Sequence, residues 1–220
     1  MLKSKWLIIY FITLLADLIL IGLQMEPYRY ATKPLLMLIL AVYFLSARTP
    51  MPQNRRLIMF AALLFSFAGD VLLLFNNLFL PGLIAFLCAH ICYIVFFLKI
   101  RYTNPPVVLC RYPLIFLNAA LLIGFIMFML PYLGSMLIPV MVYCTVIFIM
   151  VQSVLHCFHF RTQPAAWYCM TGAVLFMISD SLIAVDKFYH PLPAGGIWVM
   201  LTYGLAQCGL VYGSIKYFSS

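Results

Sequence analysis

The chain has 220 residues, 66% of them hydrophobic and only 8% charged, and its mean hydropathy of +1.11 excludes an ordinary water-soluble domain, which would carry charge on about a quarter of its residues. The net charge of +8 does not mark a nucleic-acid binder either, because the basic residues are spread among the loops and form no single patch. The composition is that of an all-α polytopic membrane protein.

In chain order, eight apolar runs are long enough to be read as membrane-crossing helices. The first, near Lys5 to Gln24, follows a basic start. It is longer than a secretory signal core, lacks a small-residue exit and carries Asp17, so it reads as a retained helix. The second, Lys33 to Ala47, is short and is expected to open with Pro34 at a first helical position. The third, Leu57 to Asn76, leads a polar stripe through Ser66, Asp70 and Asn77. The fourth, Pro81 to Leu98, puts His90 and Tyr93 on one face at i, i+3. The fifth runs from Tyr112 to Leu130, and the sixth, Met136 to Cys157, carries a separate stripe of Thr145, Gln152 and His156. The seventh, Ala165 to Val185, holds Asp180, and the eighth, Ile197 to Tyr217, presents Tyr203 and Gln207 together at i, i+4.

Pro, Gly, Asn and charged residues fill the short gaps, so residues 1–220 read as a single transmembrane helical domain, a bundle of eight helices. With the N-terminus inside, ten of the thirteen Lys and Arg fall on the inner side, and only Arg29, Lys33 and Lys187 fall outside. The positive-inside rule therefore predicts N-in and C-in, with both termini cytoplasmic. A faint echo between Leu64–Leu72 and Val174–Leu182, each with a small residue before an aspartate, hints at a 4+4 helix duplication.

Of the five acids, Glu26 and Asp186 lie at helix ends, whereas Asp17, Asp70 and Asp180 lie within spans. An acid near the bilayer centre costs about 2.5–3.5 kcal/mol on insertion scales, so such residues turn inward and mark sites. Asp17 has Tyr10, Thr13 and Gln24 on its own face and reads as structural. At a rise of about 1.5 Å per residue, Asp70 and Asp180 are each roughly 9–10 Å below the outer end of their spans, in one layer. Two carboxyls meeting in low dielectric do not both ionise cheaply, so the pair would supply an acid and a base. Ser66, Asn77, His90, Tyr93, Tyr203 and Gln207 converge with them on an outward-opening cavity, and Lys33 enters at the same surface. No metal site is expected, since His90 lies in the opposite half of the bilayer from His156 and His159 and His190 is on a loop. The seven cysteines contain no C-x-x-C, and Cys88 and Cys92, on one helix face, read as packing residues.

Lys33-Pro34, Gly69-Asp70, His90-x-x-Tyr93, Gly172-Ala173-x-x-Phe176-x-x-Ser179-Asp180 and Tyr203-x-x-Ala206-Gln207, in this order, resemble the YhhN-type lysoplasmalogenase family. Gly204 departs from the larger residue expected beside Tyr203, a change that would reshape the cavity. The resemblance implies a membrane hydrolase of the vinyl ether bond of lysoplasmalogens, ethanolamine or choline lysophospholipids entering from the bilayer. Its products would be a fatty aldehyde and a glycerophospho-alcohol, and it would need no cofactor. The carboxyl pair suits this chemistry: one of Asp70 and Asp180 is expected to protonate the double bond while the other stabilises the cation and activates water. Tyr203, Gln207, His90 and Tyr93 would orient water and glycerol oxygens, and Lys33, with Arg29, would meet the phosphate. A bacterial inner membrane is the location that accompanies this reading. The alternative class is a small proton-coupled transporter of an amphiphile, supported by Pro139 and the Thr145, Gln152, His156 stripe.

Overall fold

A computed structural model describes residues 2–103 and 112–219. Arg111, one of the basic residues counted above, lies outside the described residues. The helices are α1 Leu2–Gly22, α2 Glu26–Ser46, α3 Gln53–Leu72, α4 Phe79–Arg101, α5 Tyr112–Met129, α6 Leu137–Cys157, α7 Ala165–Ala184 and α8 Gly195–Tyr217. Among the described residues there is no strand. The protein is an all-α, polytopic membrane protein.

Six of these helices are long and apolar enough to cross a membrane by composition alone, and α3 and α8 fall outside that group. The exceptions have a physical cause. Helix α3 begins with Gln53, Asn54, Arg55 and Arg56 and buries Ser66 and Asp70; α8 buries Tyr203, Gln207 and Ser214. Their polar groups face protein, where hydrogen bonds compensate for the loss of water.

Helix α2 corrects the expected start. It opens at Glu26 with Pro27 in the first turn, so Pro34 is interior and Lys33 sits two turns into the helix. Proline is tolerated there because neighbouring helices satisfy the freed backbone groups. Helix α3 likewise ends at Leu72, before a 3-10 turn at Asn76–Leu78. Asp70 is thus about 3 Å from the end of its helix and not 9 Å, on the same rise.

The first two turns of α2 and the connections after α3 and α7 meet at one end of the bundle, where Arg29, Lys33, Phe75, Asp186 and Lys187 line a common cavity. Tyr189, beyond α7, stacks edge-on with Phe128 and Tyr132 near the end of α5, which brings the fourth odd-to-even connection to the same end. We call this the cavity end.

The closest helix contact is between α7 and α8. A Cβ on Gly172 would come within 2.7 Å of the Leu210 backbone nitrogen and 2.8 Å of the Ala206 carbonyl oxygen, and one on Gly209 within 2.9 Å of the Tyr168 carbonyl oxygen. Small residues let the two backbones meet, the usual substitute in lipid for a hydrophobic drive between helices. This contact sets the spacing of Asp180 on α7 from Tyr203 and Gln207 on α8. Replacing Gly172 by Val is therefore expected to lower stability by about 1–3 kcal/mol through overpacking. A thermal melt of the detergent-purified protein checks this, and an unchanged midpoint would contradict it.

Candidate active site

Five of the expected site residues form one hydrogen-bonded cluster, and a sixth, Lys33, joins it by an ion pair. Helix α8 turns Tyr203 and Gln207 inward one helical turn apart, and both meet the buried face of α3. The Tyr203 hydroxyl donates to Asp70 Oδ2 at 2.7 Å. Gln207 Nε2 donates to Ser66 Oγ at 2.9 Å, while its Oε1 accepts from the Tyr93 hydroxyl at 2.6 Å. These two partners fix the orientation of the amide. Lys33 Nζ, reaching in from α2, lies 3.7 Å from Asp70 Oδ1, an oxygen that makes no hydrogen bond. Asp70 is 1% exposed, and Ser66, Tyr93 and Gln207 are fully buried.

Asp180 belongs to a second cluster. Its Oδ2 accepts from the Tyr143 hydroxyl at 2.8 Å, and His90 Nε2 lies 3.1 Å from the same oxygen. His90 Nε2 is also 3.2 Å from the Tyr143 hydroxyl, so the three side chains close a triangle. His90 and Tyr93 do share the inward side of α4, but three residues of helix separate them by about 60° of rotation. His90 consequently serves Asp180 and Tyr93 serves Gln207.

The two carboxylates thus sit in separate clusters with different partners. Among the described residues no hydrogen bond or ion pair joins them. The Phe176 ring touches both groups, lying edge-on to His90 at 4.5 Å and to Tyr203 at 5.5 Å between centroids. Phe86 adds a second ring against Tyr203 and Phe176. That approach depends on Gly69, where a Cβ would stand 2.6 Å from the Phe86 ring.

Two cavities meet the clusters differently. An apolar cavity of about 600 Å³ is lined mainly by α4, α5, α6 and α7, and Asp180 and Tyr143 are on its wall. A smaller cavity of about 370 Å³ at the cavity end is lined by Arg29, Lys33, Asp186 and Lys187. They share Leu73, Phe79 and Ile183 as walls. Lys187 Nζ stands 4.3 Å over the Phe79 ring, and Phe188 packs on the same ring from the apolar side. Asp70 lines neither cavity; Lys33 stands between it and the cationic one. An adjoining pair of this kind, one cationic and one apolar, matches the two ends of an anionic amphiphile.

The remaining expectations sort as follows. Asn77 is exposed in the 3-10 turn past the end of α3, so the helical stripe through Ser66 and Asp70 stops short of it. Gly204 is not at the cavity; it faces Leu14 of α1 and accepts the Tyr10 hydroxyl through its carbonyl. Asp17 takes its partners from α2, accepting from the Thr32 hydroxyl and lying 3.9 Å from Arg29 Nε. Tyr10 and Thr13 are engaged elsewhere, Thr13 with the carbonyl of Ile9. Thr145 and His156 of the other stripe bond backbone carbonyls of their own helix. Among the described residues no group of His, Cys, Asp or Glu is arranged to hold a metal ion.

Tyr143 is the site residue absent from the sequence reading. It occupies the buried apolar stripe of α6 with Ile147, Met150 and Val154. Its signal was its polar tip within that stripe, since a buried tyrosine hydroxyl finds a partner.

Comparison with known proteins bears on this arrangement. The profile of the YhhN family matches residues 28–214, which include both clusters in full. The chain belongs to the YhhN family. Among the relatives of this YhhN protein is lysoplasmalogenase TMEM86B of Mus musculus, 30% identical over 175 residues, covering 80% of this chain and 70% of the relative. The Homo sapiens protein of the same name is 29% identical over 163 residues, covering 70% and 62%. A lysoplasmalogenase of Mycobacterium tuberculosis is 31% identical over 172 residues, covering 74% and 62%. The matched region thus spans about three fifths of the length of the human and mycobacterial relatives. No solved structure matches the chain.

The Lys33–Asp70 pair can be tested without substrate. Lys33→Met leaves a buried carboxylate without its cation and is expected to destabilise by about 3–5 kcal/mol. Adding Asp70→Asn should recover most of that loss, a coupling measurable by a double-mutant cycle of unfolding midpoints. Strictly additive losses would show that the pair is not coupled.

Proposed function

We propose that this protein is a lysoplasmalogenase-type hydrolase, cleaving the vinyl ether bond of a lysophospholipid drawn from the bilayer. The observation that carries the reading is the Asp180–His90–Tyr143 triangle on the wall of an apolar cavity that adjoins a cationic one. The names of the relatives agree with it. The alkenyl chain lies in the apolar cavity, and the phosphate lies against Arg29, Lys33 and Lys187. The ether bond falls between them, near Asp180.

The reaction begins when the carboxylic acid of Asp180 gives its proton to the β carbon of the double bond, leaving an oxocarbenium ion. Tyr143 and His90 hold Oδ2 and so aim the other oxygen at the cavity. The Asp180 carboxylate then takes a proton from the water that attacks the cationic carbon, restoring the acid. The resulting hemiacetal collapses to a fatty aldehyde and a glycerophospho-alcohol. Asp70, behind Lys33, contributes negative charge across a low-dielectric space, where a charge several ångströms away still stabilises a cation. Asp70 and Asp180 are thus the two carboxyls of the reaction, with the proton donor assigned to Asp180. Tyr203, Gln207, Ser66 and Tyr93 hold Asp70 in place.

The sorting of basic residues supports an orientation with both termini cytoplasmic, the cavity end facing outward from a bacterial inner membrane. The transporter reading has less behind it, since Thr145 and His156 make their bonds within α6.

Purified protein offered 1-alkenyl-glycerophosphoethanolamine or its choline counterpart is expected to release free aldehyde. Asp180→Asn should reduce kcat by about 10²–10⁴-fold, the range for loss of a general acid. Tyr143→Phe should reduce it less, by roughly tenfold for the loss of a charge-assisted hydrogen bond. Absence of aldehyde from the parent protein would refute the hydrolase reading, and full activity of Asp180→Asn would refute its role.

A further inference from the structure

Lys33 occupies two environments at once. Its side chain is 11% exposed and lines the cationic cavity, while its ammonium lies 3.7 Å from Asp70 Oδ1. Asp70 itself lines neither cavity, and Oδ1 has no hydrogen-bond donor to replace the lysine. On the opposite side, Oδ2 is held by the Tyr203 hydroxyl, a neutral donor. The other charged groups nearby are committed. Arg29 is paired through Nη1 with Glu26 at 2.8 Å and faces Asp17, and Lys187 lies over the Phe79 ring. Lys33 is therefore the cation that compensates Asp70, and it is also exposed to whatever anion enters the cavity.

We infer that the phosphate of the substrate switches the reaction on by drawing Lys33 away from Asp70. The inference rests on the hydrolase reading above and adds to it a role for the headgroup beyond anchoring. With the cavity empty, the lysine neutralises the carboxylate. A phosphate between Arg29, Lys33 and Lys187 takes over that ammonium, and Asp70, left with Tyr203 alone, presents an uncompensated negative charge toward the reaction space. A cation forming at the ether carbon is then stabilised, whereas without phosphate it meets a balanced pair. Asp70 responds to headgroup occupancy by charge alone, and no bond is made or broken in the switch. Binding energy from a remote, unreacting group is thereby converted into a lower barrier and not only a tighter complex.

The experiment divides the substrate into pieces. The full-length protein in detergent is offered 1-alkenyl-glycerophosphocholine, then 1-alkenylglycerol without phosphate, then 1-alkenylglycerol with inorganic phosphite. The truncated substrate should show a kcat lower by roughly 30-fold or more, and phosphite should raise that kcat about tenfold or more, since remote binding energy acts on the barrier. Stimulation by phosphite should disappear in Lys33→Met and persist in Lys33→Arg, which keeps the charge. Arms using the parent protein alone test the switch even if Lys33→Met does not fold. Equal kcat for the two substrates, with the loss confined to KM, would reduce phosphate to an anchor and overturn the switch. Phosphite stimulation that survives Lys33→Met would overturn the role of Lys33. Aldehyde released from the phosphorylated substrate separates both outcomes from a failure of the hydrolase reading, which would appear as no aldehyde from any substrate.

Discussion

A carboxylate buried in a protein that is itself surrounded by hydrocarbon cannot rely on water, and its charge must be matched by named partners or it costs several kcal/mol. This constraint governs the bundle. Asp17 is met by Thr32 and Arg29, Asp70 by Lys33 and Tyr203, and Asp180 by His90 and Tyr143. The partners come from helices α2, α4, α6 and α8, so satisfying three acids fixes how most of the helices pack. Helices α3 and α8, the two outside the group apolar enough to cross a membrane by length and composition, turn polar groups toward one another through Tyr203–Asp70 and Gln207–Ser66. Gly69 permits the close approach of α3 to Phe86 of α4, and Gly172 that of α7 to α8.

The same arrangement separates two tasks that an amphiphile requires. Charge is concentrated where α2 and the turn after α7 meet, and the apolar volume lies behind it, bounded on one side by α5. Helix α7 ends in a π-helical turn, Val185–Tyr189, which supplies Lys187 to one cavity and Phe188 to the other. Such turns are frequent at functional sites because the extra residue redirects side chains. Phe79 stands between these two side chains. Under the proposed reading, the glycerol backbone of the substrate crosses at this partition, with Asp180 on the apolar side.

Much of this was legible in the sequence, because each of these signals is local. Apolar runs of the length of a bilayer identify the helices. Acids within them mark sites, and the i, i+4 spacing of Tyr203 and Gln207 gives a shared face. The failures are of two kinds. Prolines and polar residues mark the helix ends poorly around Lys33-Pro34 and Asn77. Pro27, not Pro34, opens α2, and the turn after Leu72 removes Asn77 from the stripe. The second kind is a matter of rotation. Equal depth put Asp70 and Asp180 in one layer, but depth is silent on azimuth, and a difference of about 60° between His90 and Tyr93 sends them to separate clusters. Tyr143 is illegible for a related reason: within an apolar stripe its hydroxyl has meaning only when the helix that faces it is known.

The central claim is that an acid fixed on one wall of the apolar cavity protonates the chain. The most direct test is to run the hydrolysis in D2O, reduce the aldehyde as it forms and determine where deuterium resides. The account predicts a single deuterium at the carbon next to the former ether carbon, delivered to one face only. Deuterium on both faces in equal amounts, or none at that carbon, would contradict it.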